Sequence, residues 1–247
     1  MNNLKIYVET QKGKGKDVSD DRVLVHRNIL SETSLVLEEK TGFVAVADGV
    51  GGNAAGDVAA VMVCAGAAAM EVIDKPHFEE INQEILERGT KDKYKGMAAT
   101  FSGIHWETDG NAVCCHVGNT RIYAIQGSGY LKQLTEDDTV VQFLLKTGKL
   151  NEEEAENYSA RNEITACFGG GKASLLNVKI YPLEEDEHTN FLMTSDGIHE
   201  YLTIDEMEDC LGETEGDGKK LVQRLVKYAQ EKGSDDDCTA VYIDMEE

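Results

Sequence analysis

Apolar positions recur at two different periods along this chain, and the switches between them divide it into blocks. Residues 3–9 and 22–26 alternate or run apolar as strands do, with a Gly- and Lys-rich loop at 12–16 between them. The run Phe43-Val44-Ala45-Val46-Ala47 is short, small and β-branched, which predicts a buried strand ending at Asp48 and turning through Gly49, Gly51 and Gly52. The stretch 54–73 is rich in Ala, Val and Met without proline, so it predicts a largely buried helix, and Pro76 closes that region. Phe78, Ile81, Ile85 and Leu86 at helical spacing predict a second helix within 77–95.

From Met97 the pattern changes to short strand-like segments at 98–105, 111–117, 121–126 and 130–134, punctuated by Asp109-Gly110, Gly118-Asn119 and Gly127-Ser128-Gly129. That is an antiparallel meander. Two short helices are predicted at 139–148 and 152–158, the second opened by Asn151 with Glu154 three residues on. Strand character returns at 175–181 and 190–194. Thr203 with Glu206 opens a helix at 204–210, while Leu221, Val222, Leu225, Val226 and Ala229 mark an amphipathic helix at 218–232, followed by a terminal strand at 238–244. Helices come in pairs and the order is not a regular βαβα alternation, which predicts an α+β fold with antiparallel sheets in one domain over 1–247.

Composition changes this picture in two ways. The net charge of −22, from 46 acidic side chains, excludes nucleic acid and anionic membrane as the main partner, but it supplies oxygen ligands for hard cations. The six cysteines form no CxxC pair and have no ligand-like spacing with histidine, which excludes a zinc site and predicts buried, reduced thiols in a cytoplasmic protein. The first residues have no hydrophobic signal core, and no run reaches the ~20 apolar residues of a membrane span.

Three aspartates share one local grammar, an apolar strand next to an Asp and a turn. Asp48 precedes Gly49, Asp196 precedes Gly197, and Asp236 stands in Gly233-Ser234-Asp235-Asp236-Asp237 before the terminal strand. A single Asp-Gly is usually only a turn. Carboxylates gathered at one sheet edge repel strongly, so a cluster of them implies divalent cations.

In this order the residues resemble the metal-dependent protein serine/threonine phosphatases (PPM, or type 2C), most closely the compact bacterial members. The resemblance runs through Ser19-Asp20-Asp21, Asp48-Gly49-Val50-Gly51-Gly52, Met97-Ala98-Ala99-Thr100, Val117-Gly118-Asn119-Thr120-Arg121, Leu134-Thr135-Glu136-Asp137, the segment 162–169, Ser195-Asp196-Gly197 and Asp236-Asp237-Cys238-Thr239. It implies a four-layer αββα sandwich and a flap at 139–161. It also implies that Asp48 bridges two metal ions, Mn2+ or Mg2+, with the Gly49 carbonyl on one and Asp196 and Asp236 completing the other. Asp21 and Asp20 would hold metal-bound waters. The reaction implied is hydrolysis of phosphoserine or phosphothreonine by in-line attack of a metal-bridging water, with no phosphoenzyme. The partners implied are phosphorylated proteins and a serine/threonine kinase, for an enzyme acting as a monomer.

Four positions depart from the family pattern. The phosphate-binding arginine falls on Lys16, which keeps the charge but loses the bidentate fork, with Lys12 and Lys14 open as substitutes. Asn119 stands where bacterial relatives place an aspartate of a third metal site, and a neutral amide is a poorer ligand there. Asp237 replaces an asparagine beside Asp236, so spacing leaves open which neighbour ligates. Val50 stands where some relatives have a general-acid histidine. Two other readings compete. One is a phosphatase-like binding protein with weak catalysis; the other is a dinucleotide fold, because Gly49-Val50-Gly51-Gly52-Asn53-Ala54 between strand and helix matches a Rossmann fingerprint. The second fails on context, since Glu71 lies inside a continuous helical stretch and Asp48 would face a pyrophosphate with the wrong sign.

Overall fold

The structure is a computed structural model describing residues 3–50, 55–127, 129–161, 163–170, 176–184 and 189–246. Fourteen strands are seen among them: β1 (Asn3–Gln11), β2 (Arg22–Val25), β3 (Asn28–Leu30), β4 (Thr33–Glu39), β5 (Gly42–Ala47), β6 (Ala98–Ala99), β7 (Phe101–Trp106), β8 (Ala112–Val117), β9 (Arg121–Gln126), β10 (Tyr130–Gln133), β11 (Phe168–Gly169), β12 (Lys179–Pro182), β13 (Asn190–Thr194) and β14 (Cys238–Glu246). The α-helices are α1 (Gly56–Ala69), α2 (Lys75–Arg88), α3 (Val140–Lys146), α4 (Glu152–Glu156), α5 (Asp196–His199), α6 (Ile204–Glu213) and α7 (Gly218–Glu231).

Two six-stranded antiparallel sheets, ordered β10-β9-β13-β14-β1-β4 and β12-β8-β7-β5-β2-β3, lie face to face. Period-2 alternation explains why. On β1 the residues Leu4, Ile6 and Val8 are buried and meet Val23, Val25, Val44, Val46 and Ile104 of the other sheet. The outer face of the first sheet is covered by α6 and α7 through Met207, Cys210, Leu221, Leu225 and Val226. The outer face of the second is covered by α1 and α2 through Ala59, Ala60, Val63, Phe78 and Ile85. This is the αββα arrangement expected from the sequence. β5 lies between β2 and β7, antiparallel to both, so the parallel βαβ unit a dinucleotide fingerprint requires is not formed there.

Local signals account for most boundaries. Asn151 and Thr203 both form reciprocal capping boxes, with Glu154 and Glu206. Pro76 has a different role from the one expected: it sits in the first turn of α2, where a missing N–H costs nothing, and Asp74 caps that helix by accepting from the His77 N–H at 3.0 Å. The strand β4 escapes the periodicity reading because it is an edge strand whose Leu35 and Val36 stay exposed, which breaks the alternation. All six cysteines are buried and unbridged. Among the described residues no helix is long and apolar enough to cross a membrane.

Candidate active site

Strand pairing brings the aspartates together. Ala47 at the end of β5 pairs with Arg22 at the start of β2, so Asp48 and Asp21 leave adjacent strands side by side. On the other sheet Gln11 pairs with Cys238 and Thr194 with Ala240, which places the loop after β1, the segment 235–237 and Asp196 at one edge. Asp48 lies within electrostatic reach of Asp196, Asp21 and Asp236. Residues from both sheets therefore meet at a single edge of the sandwich.

Asp48 is partly buried, and its carboxyl is pushed well above the ordinary aspartate range, first by desolvation and then by the negative field of Asp196, Asp21 and Asp236. Its backbone N–H donates to Thr100 Oγ1 at 3.2 Å and its carbonyl accepts from the Thr100 N–H at 2.8 Å. A second bond runs from the Val50 N–H to the Ala98 carbonyl at 3.0 Å, so the pair flanks Gly49 and leaves its own carbonyl outside the bridge with Ala99. Glycine is required at 49 for closeness: a Cβ would come within 2.4 Å of the Gly56 backbone at the start of α1. Gly51 and Gly52 lie outside the described residues.

Asp196 opens α5 with Ser195 as its N-cap residue. The Asp196 carboxyl is raised by burial and by Asp236, against hydrogen bonds with Asp48 and from Asn119. Asn119 Nδ2 donates to Asp196 Oδ2 at 3.1 Å, while its Oδ1 is buried without a partner. Here too the glycine is a packing requirement, since a Cβ on Gly197 would lie 2.0 Å from the Asp237 carbonyl. The Ser195 and Thr239 main chains and the Ser195 hydroxyl lock the two loops together, with Ser195 N–H to Thr239 O at 3.1 Å and Thr239 N–H to Ser195 Oγ at 3.0 Å.

The acidic pair 236–237 divides its labour. Asp237 is 2% exposed, and its carboxylate accepts from the Gly13 N–H at 2.7 Å, the Asp20 N–H at 2.7 Å and Lys16 Nζ at 2.8 Å. Asp236 is half-exposed and accepts from Lys16 Nζ at 2.7 Å. Partial burial opposes the charge on Lys16, but its bonds to Asp236 and Asp237 outweigh this and raise its pKa. Asp20 is spent on the scaffold: its Oδ1 accepts the Asp57 N–H in the first turn of α1 at 2.9 Å. Asp21 is fully buried, with no hydrogen bond of good geometry to either oxygen among the described residues. Its pKa is pushed up to about 7 by burial, with Asp237 and Asp196 adding to the rise and weak hydrogen bonding from the Thr239 and Ser195 side chains offsetting part of it.

The expected ligands thus share one edge, while Asp237, unassigned by the motif, proves to be the hub that ties the loop 13–20 to β14. The alternation signal could not have shown this, because its partners are main-chain N–H groups more than 200 positions away. Arg121 spans two of the motifs with a bidentate pair to Asp137, its Nε at 3.0 Å and Nη2 at 2.6 Å from the carboxylate. Two buried histidines have structural partners: His116 lies between Ser102 Oγ and the Glu136 carbonyl, both at 2.8 Å, and His199, at the end of α5, has its Nδ1 2.8 Å from Thr194 Oγ1. His188 lies outside the described residues.

The donor set suits hard divalent cations. It offers partly buried carboxylates and, among the described residues, a main-chain carbonyl at Gly49 outside its bridge and unpartnered oxygens on Asp21 and Asn119. Among the described residues no three acidic, histidine or cysteine side chains already form a coordination shell in this conformation. Asp48 and Asp196 hydrogen-bond each other, and Asp236 turns to Lys16.

Comparison with known proteins gives a consistent family. The Protein phosphatase 2C family matches over residues 31–236. The chain is 30% identical over 256 residues to protein phosphatase PhpP of Streptococcus pneumoniae serotype 2 (strain D39), covering 99% of this chain and 98% of that protein. It is 28% identical over 217 residues to the serine/threonine phosphatase stp of Listeria monocytogenes serovar 1/2a, covering 82% and 84%. Among solved structures, the Mycobacterium tuberculosis serine/threonine phosphatase PstP/Ppp superposes with a TM-score of 0.81 at 24% identity over 99% of this chain and 100% of that one. The catalytic domain of PstP in complex with two manganese ions gives a TM-score of 0.76 at 23% identity, with full coverage of both chains. With its αββα layers, the motifs gathered at one edge and a family match spanning most of its length, this chain belongs to the protein phosphatase 2C family.

Proposed function

We infer that the protein is a metal-dependent protein serine/threonine phosphatase whose site is the edge at Asp48, Asp196 and Asp236. The observation that carries this reading is the crowding of buried Asp21 with partly buried Asp48, Asp196 and Asp236, where desolvation and mutual repulsion hold Asp48, Asp196 and Asp21 above the ordinary carboxylate range. Such a group is costly alone and favourable around cations. Asp48, the Gly49 carbonyl, Asp196 and Asp236 would hold two of them, manganese or magnesium, and Asp21 would hold metal-bound water. The ions supply Lewis acidity that makes water nucleophilic near neutral pH and offsets phosphoryl charge.

The chain's own residues fix where this happens. Thr100 holds the Asp48 main chain, Ser195 and Thr239 hold the loop of Asp196, and Asp237 holds the segment of Asp236. The hydroxyls among them are engaged in the scaffold, Thr100 Oγ1 accepting from the Asp48 N–H, Ser195 Oγ from the Thr239 N–H and Thr239 Oγ1 donating to Thr10 Oγ1. That fits direct attack by water on the phosphorus of a phosphoserine or phosphothreonine side chain. Asn119, donating to Asp196, is a poor ligand for a third ion. Helices α3 and α4, whose base is closed by the Val140 N–H to Glu163 carbonyl bond at 2.9 Å, form a flap over 139–161. The partners implied are phosphorylated proteins and a kinase that makes them. The test is hydrolysis of phosphoserine and phosphothreonine peptides with and without manganese, using Asp48→Ala and Asp196→Ala as controls. Turnover should require the metal and fall at least about 100-fold in both variants; metal-independent or absent turnover overturns the reading.

A further inference from the structure

Two of the positions where this chain departs from its family pattern, Lys16 and Asp237, are each other's partners. Lys16 Nζ lies 2.8 Å from Asp237 Oδ2, 2.7 Å from Asp236 Oδ1 and 3.5 Å from Asp20 Oδ2. Asp237 is nearly inaccessible, and its two other bonds are to main-chain N–H groups of the same loop, at Gly13 and Asp20. The loop is seated further by the Lys14 N–H to Asp235 carbonyl bond at 3.0 Å, and Gly13 packs so closely that a Cβ would come within 2.4 Å of that carbonyl. A buried carboxylate needs a cation as well as N–H donors, and among the described contacts Lys16 is the cation it has.

The ammonium is therefore committed. A lysine offers one compact charge, without the second face an arginine fork would keep for another anion. We propose that Lys16 is a positioning residue, an internal counter-ion that fixes Asp237 and the orientation of Asp236, and that it does not bind the substrate phosphate. This rests on the proposed site, because it assigns Lys16 a role toward Asp236. Position 16 then acts on the reaction through the geometry of Asp236, and its importance depends on the charge at 237.

A double-mutant cycle with Lys16→Met, Asp237→Asn and the combined variant separates this from phosphate binding. Metal-free thermal stability is the first readout. Lys16→Met alone should lower Tm by at least about 5 °C, because it leaves a buried carboxylate unpaired. Adding Asp237→Asn should restore part of the loss, since no uncompensated charge remains, although its amide keeps only one of the two acceptors that the Gly13 and Asp20 N–H groups use. A combined variant no more stable than Lys16→Met, or one that fails to fold, overturns the proposal. The second readout is competitive inhibition by inorganic phosphate with KM for a phosphopeptide. In the Asp237→Asn background, Lys16→Met should change both by less than about twofold, whereas loss of a direct charged contact to phosphate would weaken both about tenfold or more and overturn the proposal. Failure of the wild type to show manganese-dependent hydrolysis would sink the site reading alone, because the metal-free stability cycle still tests the Lys16–Asp237 pair.

Discussion

Asp21→Asn should make the metal-free protein more stable at neutral pH while weakening its use of metal. The Asp21 carboxyl is fully buried, has no hydrogen bond of good geometry among the described residues, and its pKa is pushed from 3.8 up to about 7, chiefly by burial. In the unfolded chain the group titrates at its ordinary value. Between about pH 4 and pH 7 the folded state therefore keeps a proton that the unfolded state has lost, and stability falls as pH rises through that window. A rise from 3.8 to about 7 corresponds to a penalty on the order of 4 kcal/mol, fully present above pH 7 and absent below pH 4. Asparagine has nearly the same shape and no charge to desolvate, so it removes the penalty. For a chain of this length that is a gain of up to about 10 °C in Tm. Thermal melts of both proteins in chelator from pH 4.5 to 8.5 should converge at the acid end and separate toward the alkaline end. Manganese should narrow the gap at pH 8 by stabilising the wild type. A variant no more stable than wild type at pH 8 without metal would mean that the buried Asp21 carboxylate carries no such penalty.

Further outcomes follow from other parts of the fold. Gly197→Ala, whose Cβ would meet the Asp237 carbonyl at 2.0 Å, should cost about 2–4 kcal/mol in denaturant unfolding. Gly212→Ala in α6, with open space around it, should instead gain about 0.5–1 kcal/mol. Arg121→Lys loses the bidentate pair with Asp137 and should cost about 1–3 kcal/mol by the same measurement. The His116 pKa is lowered by burial and by Lys179, so NMR titration should find its ring neutral throughout pH 6.5–8. Its sign is the reverse of Asp21: below about pH 6.5 the unfolded chain takes up a proton that the folded ring refuses, so this contribution to stability is lost on acidification. A His116 midpoint at or above the ordinary histidine value would contradict the burial described.

Much of the scaffold was legible because it rests on local physics. Alternation in Leu4, Ile6 and Val8 announces a strand with one buried face, and the apolar run before Asp48 announces a strand buried on both. Capping residues Asn151 and Thr203 fixed two helix starts through side chains three positions apart. The edge strand β4 was not legible, because a strand with a single neighbour and exposed Leu35 and Val36 has no strict period to show. The short helix α5 hid behind the Asp196-Gly197 turn signal, whose glycine serves close packing against Asp237.

For the site the division falls at sequence distance. Chain order alone shows which carboxylates stand at strand ends, since Asp48, Asp196 and Asp236 each border an apolar run, and their order carried the family resemblance. What each one touches was decided by antiparallel pairing of β1 with β14, which sets Gly13, Lys16 and Asp20 against Asp237 across more than 200 residues. Periodicity reports the face a residue presents, whereas partnership depends on strand register and on which loops share an edge. That is why the asymmetry between Asp236 and Asp237, identical neighbours in the sequence, emerged only from the tertiary structure.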